Sequence, residues 1–254
     1  MKVSVVTATW NSAATVVDTL RSVNEQTHPD IEHIVIDGAS TDATLRLVEQ
    51  QGRRVAAVVS EHDRGIYDAM NKGLRLATGD IVGLINSDDF LAADDILATV
   101  AATFAADPTL EAVYGDLYYV NPADTQRVVR YWRSSPFRPG LFAQGWAPPH
   151  PTLYVRRSVY ERFGGFDLAY PLAADLELMA RFLEVHRVRS LHVPKVFVRM
   201  RTGGATNKNL RNVVQQNREI WQALTKHGLA RSMPRFALAK LGSRLRQFIA
   251  REAT

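Results

Sequence analysis

The sequence predicts an α/β fold: a mainly parallel central sheet with helices on both faces, followed by a C-terminal helical extension. Three observations carry that prediction. Short apolar runs rich in β-branched residues recur at Val3 to Ala8, His33 to Asp37, Val55 to Ser60 and Ile81 to Ile85. The first three are each followed by a stretch with helical apolar spacing, and strands apolar on both faces that alternate with such helices need right-handed crossovers and lie parallel. The 254 residues, 46% hydrophobic and 22% charged, have an ordinary globular composition, enough for one large domain with a tail and unlike disordered or collagen-like chains.

Taken in order, Val3 to Ala8 is the first strand, and Asn11-Ser12 opens a helix to about Gln26 with Val16, Leu20 and Val23 on one face. His33 to Asp37 and a helix from Thr41 to Gln51 follow, then Val55 to Ser60 and a helix from about Ile66 to Ala77. After Ile81 to Ile85, a helix at about Asp95 to Ala105 leads to a strand at Ala112 to Val120. Residues 121 to 155 hold six of the eleven prolines and a cluster of aromatics, which predicts an ordered surface excursion suited to binding. Helices near Ser158 to Phe163 and about Asp175 to His186, a strand at Val193 to Val198, and helices at about Leu210 to Lys226 and Arg235 to Glu252 complete the chain.

The absence of cysteine excludes disulfide scaffolds, thiolate zinc sites, iron–sulfur clusters and cysteine nucleophiles. Charge is divided unevenly. Residues 1 to 180 carry 15 Lys and Arg against 23 Asp and Glu, whereas residues 181 to 254 carry 16 against 3. The acidic front argues against a nucleic-acid groove and for carboxylates gathered on a metal or an acid–base task. No window reaches the roughly 18 apolar residues that span a bilayer, and the N-terminus reads as a strand rather than a secretion signal, so a cytoplasmic location is expected.

In an open parallel sheet the ligand sits beyond the carboxyl ends of the strands. Those ends read Thr9-Trp10-Asn11, Asp37-Gly38-Ala39-Ser40-Thr41-Asp42, Glu61-His62-Asp63-Arg64-Gly65 and Asn86-Ser87-Asp88-Asp89. Asn11, Ser40 or Thr41 and Asp94 are all suitable helix N-caps, and capping explains Ser40 and Asp42 as well as a site role does. It does not explain Asp88 and Asp89, two adjacent carboxylates ahead of their helix, which repel unless a cation joins them. The first turn lacks the glycines of a dinucleotide fold or a phosphate-binding loop. A phosphate here is therefore better neutralised by a divalent cation on hard oxygen ligands, with Asp88 and Asp89 as candidates.

The ordered series Val-Val-Thr-Ala-Thr-Trp-Asn-Ser, Ile-Asp-Gly-Ala-Ser-Thr-Asp-Ala-Thr, Ser-Glu-His-Asp-Arg-Gly-Ile-Tyr-Asp-Ala-Met-Asn-Lys-Gly and Ala-Thr-Gly-Asp-Ile-Val-Gly-Leu-Ile-Asn-Ser-Asp-Asp resembles the family 2 glycosyltransferases with the GT-A fold. The resemblance is strong over residues 1 to about 120 and continues through Pro148-Pro149-His150-Pro151-Thr152, Gly165-Phe166-Asp167 and Ala173-Ala174-Asp175-Leu176-Glu177-Leu178 to about 207. It implies a nucleotide-sugar-binding part over 1 to 120, an acceptor-binding part over 121 to 207, and helices beyond. It also implies hexosyl transfer from a nucleoside diphosphate-sugar, with inversion, to a saccharide or lipid-linked saccharide of the cell envelope. Thr9, Asn11, Asp37 and Arg64 would surround the base and ribose, and Asn86-Ser87-Asp88 stands where the family has Asp-x-Asp. With Asn86 in place of the first acid, Asp88, supported by Asp89, is left to hold Mg²⁺ or Mn²⁺.

Asp175 matches the family's catalytic base, and an inverting displacement does need a carboxylate to take the acceptor's proton. The competing roles are an N-cap for Asp175 and Glu177 as the base instead. His150, flanked by prolines, reads equally as a buried structural histidine or a substrate contact. Tyr67, Asp68 and Lys72 are expected beside the base pocket. Arg199, Arg201 and Lys208, around Gly203-Gly204, suit a loop that closes over a diphosphate, and Trp132, Phe137, Phe142 and Trp146 suit either acceptor stacking or core packing.

Residues 231 to 254 hold six basic groups and one acid, with Leu238, Leu241, Leu245, Phe248 and Ile249 at helical spacing. Such a helix attaches peripherally to an anionic membrane face, or packs on its own domain or on a second subunit in a homodimer. Two other functions compete with transfer: a non-catalytic nucleotide-sugar or polysaccharide-binding module, disfavoured by the retained acids, and a nucleotidyltransferase, which would need a glycine- and arginine-rich first loop.

Overall fold

A computed structural model of the chain describes residues 1–203 and 210–229. Strand β1 (Val3–Thr9) is buried along its whole length, because it lies between parallel neighbours β2 (Ile31–Asp37) and β4 (Ile81–Leu84) under helices on both faces. β3 (Val55–Ser60) pairs parallel with the outer side of β2, and its alternating half-buried and exposed residues mark it as an edge. Successive side chains of β1 point to opposite faces and so feed two core layers. Val6 and Ala8 join Ile34, Ile36, Met70 and Val82 on one side, and Val3 and Val5 join Ile81, Leu97 and Phe104 on the other.

Helices α1 (Val16–Asn24), α2 (Thr44–Gln51), α3 (Ile66–Leu76) and α4 (Ile96–Ala106) cover this half. α3 approaches β1 so closely that a Cβ on Gly73 would lie 2.2 Å from Val6 Cγ1, which only glycine permits.

Beyond β4 the expected parallel pattern gives way to a mixed one. β5 (Phe90–Leu91), β6 (Ala112–Val120), β7 (Val128–Trp132), β8 (Tyr154–Arg156) and β9 (Ser190–Arg201) complete a nine-stranded sheet in the order β3-β2-β1-β4-β8-β6-β9-β5, with β7 on β6. β8 is antiparallel to both β4 and β6, and among the described strands of this half the one parallel pair is β6 with β9. The reason is connectivity: β8 is reached from the proline-rich excursion and not through a helical crossover. That excursion also holds β7, and it is pinned by the buried Asp116, which accepts from Tyr131 Oη at 2.6 Å and the Ser134 N–H at 2.8 Å.

α5 (Arg157–Phe163) and α6 (Ala174–Ala180) follow, the latter running into a wider turn over Arg181–Val185 where one continuous helix was expected. α7 (Leu210–Lys226) spans the expected residues. Lys208 and the basic amphipathic stretch from Pro234 onward lie outside the described residues. Among the described residues no helix is long and apolar enough to cross a membrane.

Candidate active site

Because β1, β2 and β4 run parallel, their polar ends meet at one edge, where side chains expected to cap helices instead tie the loops together. Asn11, held at φ 47°, accepts the Thr41 N–H at 2.9 Å, and its own N–H donates to Ser40 Oγ at 2.8 Å. Ser12 Oγ meets Ser87 Oγ at 2.8 Å, joining the first and fourth ends. Asp42 accepts from the Ala13 N–H at 3.1 Å and the Thr44 N–H at 2.9 Å. With these groups engaged between loops, α1 and α2 start later than the capping pattern implied, at Val16 and Thr44.

Asp37, expected against the base or ribose, is engaged with the loop that follows β2 and with Ser60 of β3. Its carboxylate is fully buried and accepts from the Ser40 N–H at 2.9 Å, Ser40 Oγ at 2.5 Å and Ser60 Oγ at 2.7 Å. It shapes the loop from inside. Thr9, 4% exposed, keeps a hydroxyl without a hydrogen-bond partner among the described residues. Arg64 lies on the surface with its guanidinium 3.4 Å from Asp68. Trp10 presents an exposed ring at the same edge, and Lys72, expected by the base pocket, binds the Glu61 carboxylate at 2.8 Å and the His62 carbonyl at 3.0 Å.

The two adjacent acids are not equivalent. Asp89 is wholly buried, accepting from Asn86 Nδ2 at 3.0 Å and from the Arg201 N–H at 3.2 Å. Burial, with the charge of Asp88, pushes its carboxyl well above the ordinary range. Its carboxyl is engaged beneath the loop by Asn86 and the Arg201 backbone. Asn86 is explained by the same contact, since it donates where an acid would repel. Arg201 departs from the expected mobile loop: it is buried at the end of β9 and donates to the Asp88 carbonyl and the Asp18 carboxylate. Arg199 donates to the Thr125 carbonyl at 3.2 Å.

Asp88 keeps its carboxylate free of hydrogen bonds among the described residues, and no three His, Asp or Glu side chains there converge on a metal-sized space. That donor set does not fit a resident cation in an all-protein cage. It fits Mg²⁺ or Mn²⁺ held by one carboxylate together with a substrate's phosphates.

Across the sheet, Asp175 sits in the first turn of α6, whose N-cap is Ala173, so it does not act as the cap. Tyr67 Oη donates to Asp175 Oδ1 at 3.0 Å, and His150 Nδ1 lies 3.3 Å from Oδ2. Burial, reinforced by Asp175, holds the Tyr67 hydroxyl well above its ordinary value, so it remains a donor. Burial lowers His150 against the opposing pull of Asp175 and Asp88, leaving the ring uncharged at neutral pH. Glu177, the alternative base, is 1% exposed and paired with Arg181 at 3.0 Å and His227 at 2.8 Å, which removes it from contention.

The loop before α6 is fixed from outside by α7. Glu219, also buried, accepts the Leu172 N–H at 2.7 Å. Of the excursion's aromatics, Phe142 is in the core with Trp146 edge-on at 5.5 Å, and Trp132 stacks on Tyr119. Sequence reasoning placed Tyr67 by the base pocket and missed its reach to Asp175. It also missed Glu219 and the Ser12–Ser87 link, while the Pro149-His150-Pro151 bracket was the cue for His150.

A parallel half with polar strand ends joined to a mixed half that carries Asp175 is the architecture of the GT-A fold, and solved structures share it. S. aureus TarS 1-349 matches with a TM-score of 0.68 at 19% identity, over 97% of this chain and 72% of that one. The mannosyltransferase PcManGT from Pyrobaculum calidifontis matches with a TM-score of 0.53 at 23% identity, over 96% and 80%. The chain belongs to glycosyl transferase family 2, whose model matches residues 4–162, and it is a glycosyltransferase by class. A PGL/p-HBAD biosynthesis glycosyltransferase of Mycobacterium tuberculosis is 32% identical over 190 residues, covering 70% of this chain and 68% of the relative. The chain spans 44% of the longer TarS structure.

Proposed function

We infer that the protein moves a hexosyl unit from a nucleoside diphosphate-sugar to an acceptor hydroxyl with inversion, in the assembly of a cell-envelope glycolipid or polysaccharide. The observation that carries this reading is Asp175, held by Tyr67 and His150 and uncommitted to capping. Similarity supports it: TarS 1-349 has been solved with UDP-GlcNAc, PcManGT with GDP-Man and Mn²⁺, and the mycobacterial relative is named as a glycosyltransferase of PGL/p-HBAD biosynthesis.

In this reading the acceptor oxygen bonds to the anomeric carbon as the bond to the diphosphate breaks on the opposite face. The acceptor's proton passes to the Asp175 carboxylate. Tyr67 keeps its own proton and fixes Oδ1, while the uncharged His150 holds the carboxylate's other oxygen without neutralising it. Asp88 would hold Mg²⁺ or Mn²⁺ together with the donor's phosphates; when bound, such an ion stabilises the charge that grows on the leaving diphosphate. Asp89 and Arg201 fix the Asp88 loop, Thr9 and Arg64 supply polar groups to the base and ribose, and Asn11, Asp37 and Asn86 shape the loops around them. The basic residues 231 to 254 would dock the enzyme on an anionic membrane face near a lipid-linked acceptor.

A thermal-shift panel of UDP-, GDP- and dTDP-sugars tests the donor half, because a ligand bound only to the folded state raises its melting temperature. One nucleotide class should stabilise the protein in Mn²⁺, and Asp88→Ala should abolish the effect. An equal shift in excess EDTA would contradict the role given to Asp88.

A further inference from the structure

The outer face of α7 carries a feature that donor binding and proton transfer leave unused. Arg211, Val214, Gln215, Arg218 and Gln222 recur at intervals of three and four, so they form one stripe along the helix. Opposite Pro171, this stripe lines an open cavity of about 640 Å³. Neither Arg211 nor Arg218 has an ion-pair partner among the described residues. Between them Val214, 63% exposed, presents an apolar surface to solvent.

The cavity wall is tied to the catalytic side of the molecule. Gln215 Nε2 donates to Glu219 Oε1 at 2.9 Å, and Glu219 Oε2 accepts the Leu172 N–H at 2.7 Å, three residues before Asp175. Gln216 Nε2 donates to the Leu172 carbonyl at 3.2 Å, and the charge of Glu219 reaches Tyr67, the residue bonded to Asp175. A molecule seated on this stripe therefore lies beside the loop that delivers the base.

We propose that the stripe Arg211–Val214–Arg218 is an acceptor subsite for a saccharide bearing an anionic group, a phosphate or a uronic carboxylate. The chemistry is complementary: two arginines seven residues apart, a backbone rise of about 10 Å along the helix, offer guanidinium groups that bind oxyanions, Val214 packs on the carbon face of a sugar ring, and Gln222 meets its hydroxyls. This rests on the transferase reading above, because it assigns the acceptor's class.

The test is calorimetric binding to the full chain of three probes: p-nitrophenyl glucoside 6-phosphate, p-nitrophenyl glucuronide and neutral p-nitrophenyl glucoside. At least one anionic probe should bind roughly tenfold more tightly than the neutral one, as charge-assisted hydrogen bonds at an open site predict. Whichever anion prevails identifies the source as phosphate or carboxylate. Arg211→Ala combined with Arg218→Ala should erase the preference while leaving the melting temperature and the neutral probe's affinity unchanged. Arg218→Glu should reverse it. Equal binding of all three probes by the native protein, or a preference that survives in the folded double variant, would overturn the proposal. Because binding is read without turnover, failure here is distinguishable from failure of the transferase reading, which Asp175→Asn addresses.

Discussion

Tyr67 and Asp175 lie 108 residues apart in the chain and meet at 3.0 Å, phenol to carboxylate. The bond joins α3, which packs on β1 and β2, to α6, which comes from the mixed half, and Tyr67 is seated by stacking on Phe166 at 5.2 Å. Removing only the hydroxyl isolates its role. Tyr67→Phe should lower kcat roughly tenfold, the worth of one hydrogen bond to a charged group, with donor affinity unchanged. A variant with native kcat would show that Asp175 needs no such support.

Asn86 beside the buried Asp89 yields a prediction opposite to intuition about acidic metal motifs. Asn86→Asp should not improve metal binding. It replaces a donor at 3.0 Å with a second carboxylate against a fully buried one and should cost about 1–3 kcal/mol of stability. Denaturant unfolding checks this, and unchanged stability together with tighter Mn²⁺ binding would count against the assignment of Asp89 as a buried support.

These two sites also mark how far the sequence could be read. The parallel half was legible because Val3 to Thr9 and its neighbours are buried on both faces, so apolar runs alone report them. The polar ends were legible as a group, yet which of Asp88 and Asp89 turns inward depends on a single peptide's orientation, and Asp37's burial depends on hydroxyls from Ser40 and Ser60 in separate segments. β8 was hidden because its three residues carry no periodicity, and its antiparallel place between β4 and β6 is a tertiary outcome. Tyr67, His150 and Asp175 meet only once three distant segments fold.

Arg201 is predicted to be as important to the Asp88 loop as any residue on it. Its guanidinium donates to the Asp88 carbonyl and the Asp18 carboxylate, and its N–H to Asp89. Arg201→Ala strips the side-chain bonds from a buried position and should cost about 3 kcal/mol while weakening nucleotide-sugar binding. A variant that melts at the native temperature and binds donor normally would show the loop to be fixed by other contacts.

His33 sets an expected pH response. It is fully buried within β2, with Thr7 Oγ1 of the neighbouring β1 2.9 Å from Nε2, and burial lowers its pKa to about 4. The neutral form is favoured in the folded protein, so this contribution is complete above the unfolded value of about 6.5 and declines as pH falls toward the folded one. Up to about 3 kcal/mol should be lost across that interval. In urea unfolding at pH 7 and pH 4.5, His33→Gln should show a shallower fall than the native protein, and parallel falls would contradict the linkage.

The most direct test of the mechanism is transfer by Asp175→Asn, which keeps the side chain's shape and removes its capacity to take a proton. Turnover should fall about 10³-fold, within the usual contribution of a general base, while calorimetry shows native affinity for the donor in Mn²⁺. An Asn variant that retains more than about a tenth of native turnover would mean that another group accepts the proton, and the role given to Asp175 would be wrong.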